Sequence, residues 1–185
     1  GDATTPDFQT FQDRFTTARS PFVISQKFGG KPYNLFRVEA LSDGAAANTR
    51  FKISIENLAK SNSDVNEFGK FDLVVRDFFD TDDENVVLES FRGLSLDSES
   101  DRYFARVIGD QKTYFDFDQT SDSQKLVVDG DFPNQSRYIR VKVSDPQRAG
   151  EVPDGALPMG YRGFSHLMTS GTSPMTNMEV ANKAA

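Results

Sequence analysis

FGKFDLVVRDFFDTDDENVVLESFRGLSLDSESDRYFARVIGD, residues 68–110, reads as strand, acidic turn, strand, capped helix and glycine stop. Phe71, Leu73 and Val75 alternate with Asp72 and Arg76, the period of a strand with one buried face; Val74 breaks the alternation, so both faces are expected to be covered. The chain then becomes too polar to continue a sheet. Asp77, Asp80, Asp82, Asp83 and Glu84 place five carboxylates within eight positions, in a solvated turn or an ion site. Residues 86–88 resume the β pattern, and Gly93 breaks it. Ser98-x-x-Asp101 is an acidic variant of the capping box, and it predicts a helix carrying Tyr103, Phe104, Val107 and Ile108 at helical spacing. Glu99 and Asp101 suit its positive end, and Gly109 is placed to end it with a positive φ.

Working outward, residues 51–56 (FKISIE) and 138–143 (YIRVKV) are the cleanest alternating segments, and both are expected in one sheet through non-local pairing. The polar face of the first is expected to be wet. Residues 51–56 and 70–76 predict a hairpin closed by the polar loop 59–67. Further strands are expected over 35–40, 113–117 and 126–128, with a loop of small residues over 41–48 and a turn at Gly29-Gly30-Lys31-Pro32. Phe8, Phe11 and Phe15 predict an N-terminal helix. Residues 145–163, with Pro146, Pro153, Pro158 and four glycines, predict a loop or linker. This divides the chain into 1–30, an N-terminal helix and connecting segment; 31–164, an α+β domain; and 165–185, a flexible tail. The fold class is α+β, a mostly antiparallel or mixed sheet with one or two short helices; a β-sandwich is the alternative.

The 185 residues include seventeen Phe, enough for a substantial core. A formal charge of −7 argues against a nucleic-acid partner, because such binding draws on Lys and Arg releasing counterions. The absence of Cys removes disulfides, thiol catalysis and cysteine-ligated metals. No apolar run reaches the ~20 residues of a membrane helix, so membrane insertion is not expected. The expectation is a soluble chain, or part of an assembly built in the cytosol.

Candidate chemistry is sparse. His166 follows Ser165, and neighbouring residues on one backbone rarely form a Ser–His pair. The pairs Asp116/Asp118 and Asp129/Asp131 are the candidates for glycosidase carboxylates, which need a cleft and one raised pKa. Asp77, Asp80, Asp82, Asp83 and Glu84 are the calcium candidates, although the sixth place from Asp77 is Asp82 where an EF-hand needs Gly. The expectation is no catalytic residue, no cofactor and no enzyme.

Several blocks together resemble the tail sheath proteins of contractile-tailed bacteriophages: Phe71-Asp72-Leu73-Val74-Val75-Arg76, Asp80-Thr81-Asp82, Val87-Leu88-Glu89-x-Phe91, Leu94-Ser95-Leu96-Asp97-x-Glu99-Ser100, Tyr103, Ile108-Gly109-Asp110, Gly130-Asp131-Phe132-Pro133-Asn134, Arg137-Tyr138-Ile139-Arg140-Val141 and Leu157-Pro158-Met159-Gly160-Tyr161. Ala40-Leu41-Ser42-Asp43-Gly44 followed by Phe51-Lys52-Ile53-Ser54-Ile55 fits upstream, so the resemblance spans roughly residues 35–164. Lys70 and Ser98 depart from the family pattern, which has Thr and Pro there. Sheath proteins are usually several times longer, so the resemblance implies a fragment. It also implies a mechanical role: subunits stack as hexameric rings around a tail tube and contract to drive it into the host cell. The implied partners are other sheath copies, the tube protein and the baseplate, in a virion assembled in host cytoplasm. Lys52, Glu56, Arg140 and Lys142 are expected on exposed faces, in rim ion pairs that re-register. The acidic turn is then expected to cap backbone N–H groups or meet a neighbouring subunit. The alternatives are an extracellular β-rich binding module, calcium-dependent if residues 77–84 hold an ion, and a glycoside hydrolase.

Overall fold

The computed structural model describes residues 17–163 except 64, 117, 118 and 121. The strands are β1 (Thr17–Arg19), β2 (Val23–Ile24), β3 (Asn34–Asp43), β4 (Phe51–Ala59), β5 (Lys70–Asp77), β6 (Val87–Leu94), β7 (Lys112–Asp116), β8 (Lys125–Asp129) and β9 (Ile139–Val143). The helices are α1 (Ala47–Arg50), α2 (Phe104–Ile108) and α3 (Asp145–Arg148). The paired strands are all antiparallel, which bears out an α+β, β-rich fold.

β3 is the spine of the first sheet. Glu39 lies opposite Arg19 of β1 across one edge and opposite Arg140 of β9 across the other. β2 continues the β1 edge, with Val23 opposite Phe36. Residues 17–30, read from sequence as helix and connector, thus contribute two strands to this sheet. The second sheet is β4-β5-β6, and it contains the hairpin predicted from residues 51–76, with Ile53 opposite Val75 and Ile55 opposite Leu73. β7 and β8 form a separate two-stranded ribbon. One apolar core joins the two larger sheets and α2: Phe36 of β3 stacks on Phe104 at 4.6 Å and on Phe71 of β5 at 6.1 Å.

Several expectations change. β4 and β9 lie in different sheets, because β9 finds its partner in β3 while β4 takes β5. β3 runs to residue 43 and α1 begins at Ala47, where a loop of small residues was expected. β6 continues through Gly93, whose φ of 62° is open to glycine, so the residue is a kink in the strand and not its end. The capping box does not form. Asp97 accepts the Glu99 N–H and Ser100 Oγ accepts the Arg102 N–H, local turns that compete with helix, so α2 starts only at Phe104 and is five residues long. Gly109 ends it at φ 103°. Within the expected linker, α3 forms because Ser144 Oγ accepts the Gln147 N–H and Pro146 sits in the first turn, where its missing N–H costs nothing. Three short helices therefore stand among the described residues, not one or two. The expected N-terminal helix, His166 and the tail lie outside the described residues.

Candidate functional site

The polar face of β4 is the largest departure. Strand alternation puts Lys52 and Ser54 opposite Phe51, Ile53 and Ile55, and predicts them wet; instead Lys52 is 8% exposed and Ser54 fully buried. Two segments fold across that face, the acidic turn after β5 and the strap of residues 157–163. Between them lies Arg76, 1% exposed, which shares the Lys52 side of the hairpin because the two residues are cross-strand partners.

A guanidinium has five N–H donors, and all five of Arg76 are used. Nε donates to Asp80 Oδ2 at 2.7 Å and Nη2 to Asp80 Oδ1 at 2.9 Å, a bidentate fork. The second Nη2 proton goes to the Thr81 carbonyl at 3.0 Å, and the two on Nη1 go to Asp82 Oδ1 at 2.9 Å and the Arg162 carbonyl at 3.0 Å, with a longer bond to Ser54 Oγ at 3.5 Å. Lys52 Nζ reaches Asp80 Oδ1 at 2.7 Å and donates to the Asp80 carbonyl at 2.8 Å. Asp80 Oδ2 also accepts the Val86 N–H at 2.9 Å. Burial alone would push the Asp80 carboxyl up, but the hydrogen bonds from Arg76, Lys52 and Val86 hold it below the ordinary carboxylate value. Burial would lower Arg76, and Asp80 and Asp82 outweigh it, so its pKa is raised.

The five calcium candidates accordingly serve different ends. Asp80 and Asp82 are drawn onto the protein's own cation, Asp77 Oδ1 accepts the Phe79 N–H at 2.9 Å, and Asp83 and Glu84 are exposed. Among the described residues, no three acidic or histidine side chains gather so as to hold a metal ion. The turn caps backbone N–H groups, as expected, at Phe79 and Val86. What sequence reasoning missed is Arg76, whose place inside a period-2 strand marks it only as a polar-face residue. The signal available was its spacing: Asp80 and Asp82, four and six residues on, across a tight turn.

A second buried ion cluster lies on β3 and β9. Glu39 Oε2 accepts from Arg140 Nη2 at 2.9 Å, and its Oε1 from Arg37 Nη2 at 2.7 Å. Burial pushes Glu39 up, but hydrogen bonds and charge from Arg140 and Arg37 bring it below its usual value. Lys52 and Arg140, expected on exposed rims, are therefore interior ion-pair partners; Lys142 is exposed and Glu56 half-buried. Of the glycosidase candidates, the structure places two in the β7-β8 ribbon. Asp116 and Asp129 sit opposite Lys125 and Lys112 at the two ends of the ribbon, and Asp118 lies outside the described residues.

Two apolar surfaces stand out. Phe115, Leu126 and Val128 are exposed on one face of the ribbon. A groove of about 350 Å³ beside the strap is lined by Phe22, Ile24, Ile53, Ile55, Met159 and Tyr161. Set against family models, curated proteins and solved structures, the chain matches none of them.

Proposed function

We propose that this chain is part of the subunit of a contractile phage tail sheath, a structural component of the virion that polymerises as stacked hexameric rings around a tail tube and contracts to drive the tube into a host cell. The observation that supports this reading is that sequence blocks resembling the sheath family interlock, some of them neighbours and others far apart in the chain. The arginine ending FDLVVR grips both aspartates of the DTD turn. Glu89 of the VLExF block accepts Ser136 Oγ at 2.5 Å and the Arg137 N–H at 3.0 Å, 47 and 48 residues away. Asp110 of the IGD block accepts the Phe132 N–H of GDFPN at 2.7 Å. A family pattern built on such pairs would need its blocks together and in this order.

On this reading no residue performs bond chemistry. The subunit has to remain folded while its outer contacts change between two packings of different free energy, and the trigger at the baseplate releases the metastable one. A body held by two interior ion clusters, with an exposed apolar ribbon face, suits that task. Its partners are further copies of the sheath subunit, the tube protein and the baseplate, after assembly in host cytoplasm. Negative-stain imaging of the longer parent chain tests the proposal: tubes or hexameric rings support it, and a parent that stays monomeric and monodisperse sinks it. Calcium titration with a Tm readout separates the rival binding module, which would show a large, chelator-reversible rise.

A further inference from the structure

The strap, residues 157–163, is the stitch between the two larger sheets. On its first half the Leu157 carbonyl accepts the Gln26 N–H and the Met159 N–H donates to the Ile24 carbonyl, both at 2.8 Å, tying it to the β2 side. Its second half pairs with β4: the Ile55 N–H donates to the Tyr161 carbonyl at 2.5 Å and the Tyr161 N–H to the Ile55 carbonyl at 3.0 Å. The last polar anchor is the Arg162 carbonyl, which accepts from Ser54 Oγ at 2.9 Å and Arg76 Nη1 at 3.0 Å.

We infer that the acidic turn and the strap open and close as one unit, with Arg76 as the latch that couples the exposed turn to the join between the sheets. Of the six guanidinium hydrogen bonds, four go to the turn, one to the strap, and one, long at 3.5 Å, to Ser54 Oγ of β4. The guanidinium is planar and rigid, so the positions of its acceptors are not independent. Nη1 carries the coupling, because its two short hydrogen bonds serve Asp82 and the Arg162 carbonyl, one from each segment, beside a longer one to Ser54 Oγ. When the turn swings away, the fork loses the carboxylates that fix its plane and the bond to the strap loses its alignment. The turn is built to be moved. Phe79 is 65% and Val86 51% exposed, and the Asp82 side chain is 43% exposed, so a contact made outside can act on a group bonded within. Coupling of this kind is reciprocal, and a loosened strap would release the turn by the same factor.

Amide hydrogen exchange on the Asp82→Asn variant of the chain tests this. The substitution neutralises a partly exposed acceptor and leaves the Asp80 fork in place. The Tyr161 and Met159 N–H groups are expected to exchange about tenfold faster, the scale set by weakening one charge-assisted bond. The Gly109 N–H, bonded to the Ala105 carbonyl in α2, is expected to keep its rate. Ser54→Ala removes the other anchor of the Arg162 carbonyl, together with the long 3.5 Å bond from Arg76 Nη1, and is expected to speed exchange at the Val86 N–H of the turn. A strap that exchanges at the wild-type rate in Asp82→Asn overturns the inference, whether or not the turn has loosened. A uniform rise that includes Gly109 also overturns it, since that is global destabilisation.

Discussion

At Arg76 a charge sits where strand geometry alone would place solvent. Taking one partner from a buried ion pair leaves the other uncompensated, which costs about 3–5 kcal/mol. Arg76→Ala is therefore expected to lower unfolding stability by about that amount in urea titration, and Arg76→Lys to recover only part of it, since an ammonium cannot reproduce the bidentate fork. The same residues set the acid limb of the stability profile. Asp80 and Glu39 have lowered pKa values in the fold, so the stability they contribute is complete above the unfolded carboxylate range near ~4 and is lost as pH falls through the lower folded values. Asp110 acts in the opposite sense. Burial, aided by the charge of Asp131, raises its pKa, so its ionisation costs stability as pH rises through the folded value. Tm measured from pH 7 to pH 2 is expected to fall below about pH 4. Asp80→Asn is expected to be less stable than wild type at neutral pH, with the gap closing in acid.

Among the elements, α2 shows how little room a short helix leaves at its end. A Cβ on Gly109 would lie 2.3 Å from Asn134 Cα and 2.7 Å from the Pro133 carbonyl, and φ there is 103°. Gly109→Ala combines a strained backbone with a clash against main chain, and the expected loss is about 2–4 kcal/mol in chemical denaturation. The β7-β8 ribbon is the contrast. Leu126 and Val128 are 64% and 52% exposed, so replacing both with Ser is expected to change stability by no more than about 0.5 kcal/mol each, read in the same experiment. Sequence pattern located both elements but described neither fully. Ser98 and Asp101 advertise a helix start, and the short-range bonds of Asp97 and Ser100 displace that start to Phe104.

Across the whole molecule, three layers meet at Phe36, which stacks on Phe71 from the second sheet and on Phe104 from α2. Phe36→Ala removes contacts in all three, and a loss of about 3–5 kcal/mol by denaturant titration is expected. The surface behaves differently. Lys142 and Asp129 form an exposed pair at 3.4 Å, so Lys142→Glu should cost the monomer no more than about 1 kcal/mol. On the sheath reading, its effect belongs to the lattice. Extended and contracted assemblies of the parent chain, compared by electron microscopy, should then respond unequally to that reversal.

Local chemistry determined a good deal of this protein. The period-2 runs of β4, β5 and β9, the hairpin between β4 and β5, the turn at Gly29 and Gly30, and the positive φ at Gly109 all follow from side-chain alternation and glycine's freedom, which act over a few residues. Tertiary structure decided what alternation cannot express. A strand presents its polar residues to one face, but whether water or other chain covers that face depends on segments elsewhere. Here the acidic turn and a strap more than a hundred residues from β4 cover it, so Lys52 and Arg76 become interior charges with Asp80 as their counterion. The same reasoning separates β4 from β9: each alternates cleanly, and only the packing of the whole chain assigns them to different sheets.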